Sequence, residues 1–163
     1  MTSSFHDMAK KLYPAASALL LALLVCAVSL ICYAGANRYD RYMYIFEPDS
    51  YDGSADTRLI ETRYIERQAD RDLTVRLYLE DLLLGPMTQR YVHLFAKGTS
   101  LVSCFSRGSV LYVDLSKDAL YTDAQSMTVE AGVQLLKENI YRNFPQLTGV
   151  VVFIDGKAAF EQF

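Results

Sequence analysis

The pattern of apolar and polar positions changes character once along the chain. Positions 12 to 37 hold no Asp, Glu, Lys or Arg, whereas from position 38 onward charged and apolar residues alternate in short periods. As a helix rising about 1.5 Å per residue, residues 15–36 (AASALLLALLVCAVSLICYAGA) would extend roughly 33 Å, enough for a hydrocarbon core of about 30 Å. The predicted element is a membrane-spanning helix. Tyr13 precedes it, and Tyr33 and Tyr39 stand at its far end, where amphipathic rings favour the headgroup level. Pro14 falls in the first turn, where a missing N–H does no harm.

Beyond the apolar run the periods are those of one α+β domain. Residues 41–47 (RYMYIFE) and 58–66 (RLIETRYIE) read as two paired strands around the polar loop 48–56. Asp72 is placed to cap a helix over 73–84, with Leu73, Leu77 and Leu84 along one face and Gly85-Pro86 as its stop. Runs 101–106 and 109–115 flank Arg107-Gly108 as a hairpin. Val129, Val133, Leu136 and Ile140 recur at helical spacing between Met127 and Asn143, with Glu130, Gln134, Lys137 and Glu138 opposite. Pro145 ends that helix. The continuous apolar run 149–154 (GVVVFI) reads as a buried strand, followed by the turn Asp155-Gly156 and a short return. The order β-β-α-β-β-α-β predicts a two-layer sandwich: a mixed, mostly antiparallel sheet of about five strands with two helices on one face.

Charge and candidate chemistry narrow the function classes. From position 37 onward 14 Lys and Arg face 18 Asp and Glu, a net charge of −4 without a basic face, which excludes nucleic acid as a partner. Cys26 and Cys32 lie in the apolar run and only Cys104 is in the domain, so no internal disulfide framework is available. His6 and His93 are the only histidines, and no HExxH, phosphate loop, GxSxG or CxxC occurs. A Cys104–His93 pair is weighed against a small buried hydrophobe in a strand, and the latter reading is preferred. Glu47, Asp49, Asp52 and Asp56 surround Gly53 but lack the alternating ladder of a calcium loop. No catalytic, cofactor or metal residue is assigned.

Three fates are open to the apolar segment. Its length exceeds the roughly 7–15 apolar residues of a secretory signal, which favours a retained anchor. Ala34-Gly35-Ala36 offers a small-x-small cleavage site, so removal stays open. A lipid-modified cysteine would follow a small residue, but Cys26 follows Val25 and Cys32 follows Ile31. Lys10 and Lys11 on one side are matched by Arg38 and Arg41 on the other, so flanking charge does not orient the helix.

Several features in order carry a family resemblance: LEDLLLGP at 79–86, Lys97-Gly98-Thr99 ahead of a strand, VLYVDLS at 110–116, a helix bearing Glu130, Phe144-Pro145, and VVVFIDGK at 150–157. Together they resemble the GerMN domain of sporulation and germination proteins. The segment 87–96 (MTQRYVHLFA) departs from the family in lacking its Pro-rich loop. The resemblance implies structural motif roles for Leu84, Gly85, Pro86, Gly98, Asp114, Ser116, Pro145, Asp155 and Gly156. It also implies a short cytoplasmic tail at 1–14, an anchor at 15–36 in the lipid bilayer, and an extracytoplasmic domain at 37–163. The expected role is a non-enzymatic assembly or scaffold module that docks envelope proteins or itself. A peptidoglycan-binding module is the alternative, and an envelope hydrolase the third.

Overall fold

The computed structural model describes residues 3–36, 38–49, 57–123 and 125–159. It divides into two compact units, Met1–Tyr39 and Asp40–Phe163. The first is helix α1 (Ser3–Ala36), whose stretch Ala16–Gly35 is long and apolar enough to cross a membrane. Leu19, Leu20, Leu21, Leu23 and Leu24 are exposed on successive sides of it, the all-round apolarity that lipid accommodates and water does not.

The second unit follows the order β1 (Tyr39–Phe46), β2 (Leu59–Glu66), α2 (Arg71–Leu83), β3 (Leu101–Arg107), β4 (Val110–Leu115), a 3₁₀ turn (Lys117–Leu120), α3 (Val129–Asn143), β5 (Gly149–Ile154) and β6 (Lys157–Ala158). The α+β class is as the sequence predicts, but the strands form two sheets: β1-β2, and β3-β4-β5-β6. In the larger sheet β4 and β5 run parallel, while β3-β4 and β5-β6 are antiparallel. One contiguous core joins Tyr44, Phe46 and Ile65 of the small sheet, Val75, Tyr78, Leu79 and Leu82 of α2, Val133, Leu136 and Ile140 of α3, and Leu111, Val113, Val150 and Val152 of the large sheet.

The sheet splits because α3 occupies the β1 edge with side-chain amides. The Ile45 N–H donates to Asn139 Oδ1 (2.8 Å), and Asn139 Nδ2 donates back to the Ile45 carbonyl (3.0 Å). Asn143 repeats the exchange with Met43, accepting from its N–H at 2.9 Å and donating to its carbonyl at 2.7 Å. Two strand residues rise about 6.6 Å and four helical residues about 6.0 Å, so amides at i and i+4 match backbone groups at i and i+2. Where another strand would add, two asparagines imitate its ladder. Tyr78 ties α2 into the same network, its hydroxyl donating to the Met43 carbonyl (3.0 Å) and its ring stacking on Tyr44.

Helix α2 stops at Gly85 as expected but differs in its N-cap and its buried stripe. Asp70, not Asp72, is the N-cap, its carboxylate accepting from the Asp72 N–H. Its buried stripe is Val75, Tyr78, Leu79 and Leu82, while Leu73 and Leu84 are exposed. Tyr78 outranks the leucines because its ring fills the core and its hydroxyl finds partners there. The hairpin turn is Gly108-Ser109, one residue later than expected, with Gly108 at φ +64°. The predicted α3 face is the buried one, and Phe144 closes that helix just before Pro145.

Candidate functional surfaces

Most of the motif residues are turns held by hydrogen bonds. Gly85 closes α2 at φ +86°, and an added Cβ would lie 2.0 Å from His93 Nδ1. Arg63 of β2 holds this turn: it donates to the Asp81 carbonyl (3.0 Å) and the Gly85 carbonyl (2.6 Å), supplying the cation that the last turn of α2 lacks. Glu61 pairs with Arg63 at 2.6 Å and accepts from the Met87 N–H just past Pro86. Leu84 and Gly98 line one groove of about 410 Å³ with Leu83, His93 and Thr99. Gly98 turns at φ +96°, and the neighbouring Thr99 hydroxyl donates to the Ala96 carbonyl at 2.7 Å.

A second group meets at the ends of β4 and β5. Asp114 accepts from the Gly156 N–H at 3.1 Å, across 42 residues of chain, so its carboxylate fixes the β5–β6 turn rather than the turn that follows it. Asp155 and Gly156 make that turn at φ +53° and +71°. Ser116 joins Ser100 through N–H to carbonyl at 2.9 Å and donates its hydroxyl to Asp118. Pro145 is exposed after α3.

The candidate chemistry does not assemble. Burial, then Asp72, pushes the Cys104 thiol up to about 12, the opposite of an activated thiolate. His93 is lowered by burial and by Lys97, with Asp123 opposing, so the two side chains answer to different neighbours. No group of three or more His, Cys, Asp or Glu suited to a metal occurs among the described residues. Asp52 and Asp56 of the acidic loop lie outside those residues.

What the large sheet presents instead is an apolar face. Its core side carries Leu111, Val113, Leu115, Val150, Val152 and Ile154, all buried. On the opposite side Phe105 lies across from Tyr112, and Tyr112 across from Val151, with Phe153 in the next row beside Asp114. Phe105 and Tyr112 stack with ring centroids 5.2 Å apart, yet Phe105 is 50% exposed, and Tyr112, Val151 and Phe153 are only half-buried. The run GVVVFI, read as a buried strand, alternates in the structure: one side faces the core and the other is open. The edge beside this face is guarded, because Asp72 accepts from the Ser106 N–H (3.0 Å) and hydroxyl, and Arg71 donates to Ser106 Oγ and the Gly108 carbonyl.

A two-stranded and a four-stranded sheet, α2 and α3 on one core, and these held turns define a single GerM-type α+β domain. The sequence profile of the Germane family, described as sporulation and spore germination, matches residues 42–160, and the chain belongs to that family. An uncharacterized lipoprotein of Treponema pallidum (strain Nichols) is 30% identical over 100 residues, which cover 61% of this chain and 75% of that one. The tandem GerMN domains of the sporulation protein GerM from Bacillus subtilis share the fold at TM-score 0.54 and 15% identity, over 74% of this chain and 40% of that structure. A putative lipoprotein from Clostridium perfringens aligns at TM-score 0.41 and 18% identity, over 73% of this chain and 76% of that one.

Proposed function

We propose that this is a membrane-anchored, non-enzymatic envelope protein whose domain docks another protein through the open face of its large sheet. The single observation that carries the reading is the Phe105, Tyr112, Val151 and Phe153 surface, an apolar patch with a stacked aromatic pair on the side away from the helices. Exposed apolar patches bounded by polar residues favour protein contact, and aromatic residues are enriched in such interfaces. Asp114 and Arg107 bound this one. Membrane anchoring is supported by the apolar helix and by the lipoprotein relative; the single pass rests on the length and apolarity of Ala16–Gly35, and the domain's place outside the cytoplasmic membrane on its kinship with a lipoprotein. The motif residues Leu84, Gly85, Pro86, Gly98, Asp114, Ser116, Pro145, Asp155 and Gly156 act as scaffold, setting the turns that hold the face rigid.

A photo-crosslinking residue placed at Phe105 in the full-length chain tests this in the cells that make it. A discrete protein adduct is expected there and not at Glu138 on α3, and Tyr112→Lys should abolish it. Equal adducts at both positions, or an adduct that survives Tyr112→Lys, would sink the reading. The same stacked aromatic pair would also suit a sugar ring. Sedimentation with purified peptidoglycan that is lost in Tyr112→Lys would select that alternative.

A further inference from the structure

The edges of the two sheets are not treated alike. The outer edge of β3 is engaged at its end, where Asp72 accepts from the Ser106 N–H and Arg71 reaches the Gly108 carbonyl just beyond it; that of β1 is covered by Asn139 and Asn143 and then by residues 90–92, and β6 is only two residues long. Strand β2 is eight residues long, and between Leu59 and Ile65 no described residue outside the β1-β2 ladder hydrogen-bonds its backbone. Protected edges normally carry Pro, Lys, a bulge, an inward-pointing charge or a covering segment; β2 has of these only Glu61 and Arg63 on its inner face, and they neutralise each other. The outward side chains of β2 are Ile60, Thr62, Tyr64 and Glu66, and Ile60 and Tyr64 are 52% and 67% exposed.

The sequence of this strand is complementary to itself when reversed. About Thr62, the stretch RLIETRYIE sets Glu61 against Arg63, Ile60 against Tyr64, Leu59 against Ile65 and Arg58 against Glu66. Opposite residues of an antiparallel pair share a face. In this register the solvent face therefore matches aliphatic with aromatic, and Thr with Thr, while the inner face matches apolar with apolar and acid with base. Such cross-strand pairs each contribute roughly 0.2–1 kcal/mol, and a shift by one residue would set inward side chains against outward ones. Glu61 and Arg63 already pair within the strand at 2.6 Å, so two copies would bring together a neutral four-charge cluster. Arg58 also has partners of its own in Glu47 and Glu138, and the central pairs carry the match.

We infer that β2 is a symmetric pairing edge, at which a second copy of this chain adds its own β2 antiparallel with Thr62 opposite Thr62. The two small sheets then form one four-stranded sheet about a two-fold axis, an isologous contact that closes on itself. This surface is separate from the Phe105–Tyr112 face, so a dimer and a docked partner are compatible.

Oxidative crosslinking of the full-length chain in detergent micelles, with Cys26→Ala and Cys32→Ala as background, tests the register. Thr62→Cys should give a disulfide-linked dimer. Ile60→Cys and Tyr64→Cys should each stay monomeric alone and crosslink when mixed. In sedimentation, Thr62→Asp sets two carboxylates together at the axis and should raise the dimer dissociation constant about fivefold or more, with unchanged near-UV circular dichroism. A Thr62→Cys chain that stays monomeric, or Ile60→Cys alone crosslinking as readily as Thr62→Cys, would overturn the inference. The Phe105 photo-adduct measured in Thr62→Asp separates the two surfaces: it persists if docking is real, whatever becomes of the dimer.

Discussion

Replacing Asn139 by Ala isolates the device that divides the sheet. Its side chain is fully buried; it accepts from the Ile45 N–H at 2.8 Å, donates to the carbonyls of Ile45 and Leu135 at 3.0 Å, and accepts from the Tyr78 hydroxyl at 3.1 Å. Alanine leaves the Ile45 N–H and carbonyl without partners beside a residue that is only 4% exposed. At about 1–3 kcal/mol for each orphaned buried group, the loss is about 2–6 kcal/mol, a large part of a typical stability of about 5–15 kcal/mol. The Leu135 carbonyl keeps its helical bond and adds little. The full chain has 12 Tyr and no Trp, so near-UV circular dichroism during urea unfolding reports the loss of tyrosine packing, the Tyr44–Tyr78 stack included. The midpoint should fall with an unchanged slope. Asn143→Ala should cost less, because that residue is part-exposed, and the double variant should be non-additive because Tyr78 serves both amides. A loss under about 1 kcal/mol in Asn139→Ala would refute the claim that side-chain amides stand in for a strand.

Three further outcomes follow from the turns and titrating groups. Gly85→Ala should destabilise by about 2 kcal/mol or more, since φ +86° is unfavourable for L-residues and the new methyl meets the His93 ring; a neutral result in thermal melts would show that the turn relaxes. Asp72 is held below the usual carboxylate range, first by the Ser106 hydroxyl, then by its N–H, and by Arg71, against desolvation; its stabilisation is therefore present above the unfolded pKa and lost as pH falls through the folded value. Asp72→Asn should flatten the acid limb of stability below about pH 4 and leave its shape unchanged at neutral pH, and an unaltered acid limb would count against that contact. Cys104, pushed up to about 12, should react with iodoacetamide far more slowly at pH 8 than an exposed thiol, and modification at the rate of a free cysteine would contradict its burial.

Much of this was legible in the residues, and the reasons for the rest are physical. The long apolar helix needed only length and apolarity, and α3 only its 3.6-residue stripe. The turns at Gly85 and Gly156 were readable because each takes a positive φ that few residues tolerate. The split of the sheet was not, because it depends on Asn139 and Asn143 meeting β1 across 94 and 100 residues, and a polar residue inside a helix stripe gives no hint of its distant partner. Arg63 was hidden for the same reason: its service to the end of α2 arises from packing, not from local order. The open face left a trace in GVVVFI and VLYVDL, apolar on both sides of strands whose helices cover one.

The placement of the domain outside the cytoplasmic membrane is tested most directly by protease digestion of a C-terminally tagged full-length chain in intact cells and in spheroplasts. The tag should become accessible once the outer layers are removed, with the membrane still sealed. A tag that protease reaches only after the cytoplasmic membrane is broken would contradict it, and the envelope reading would fall.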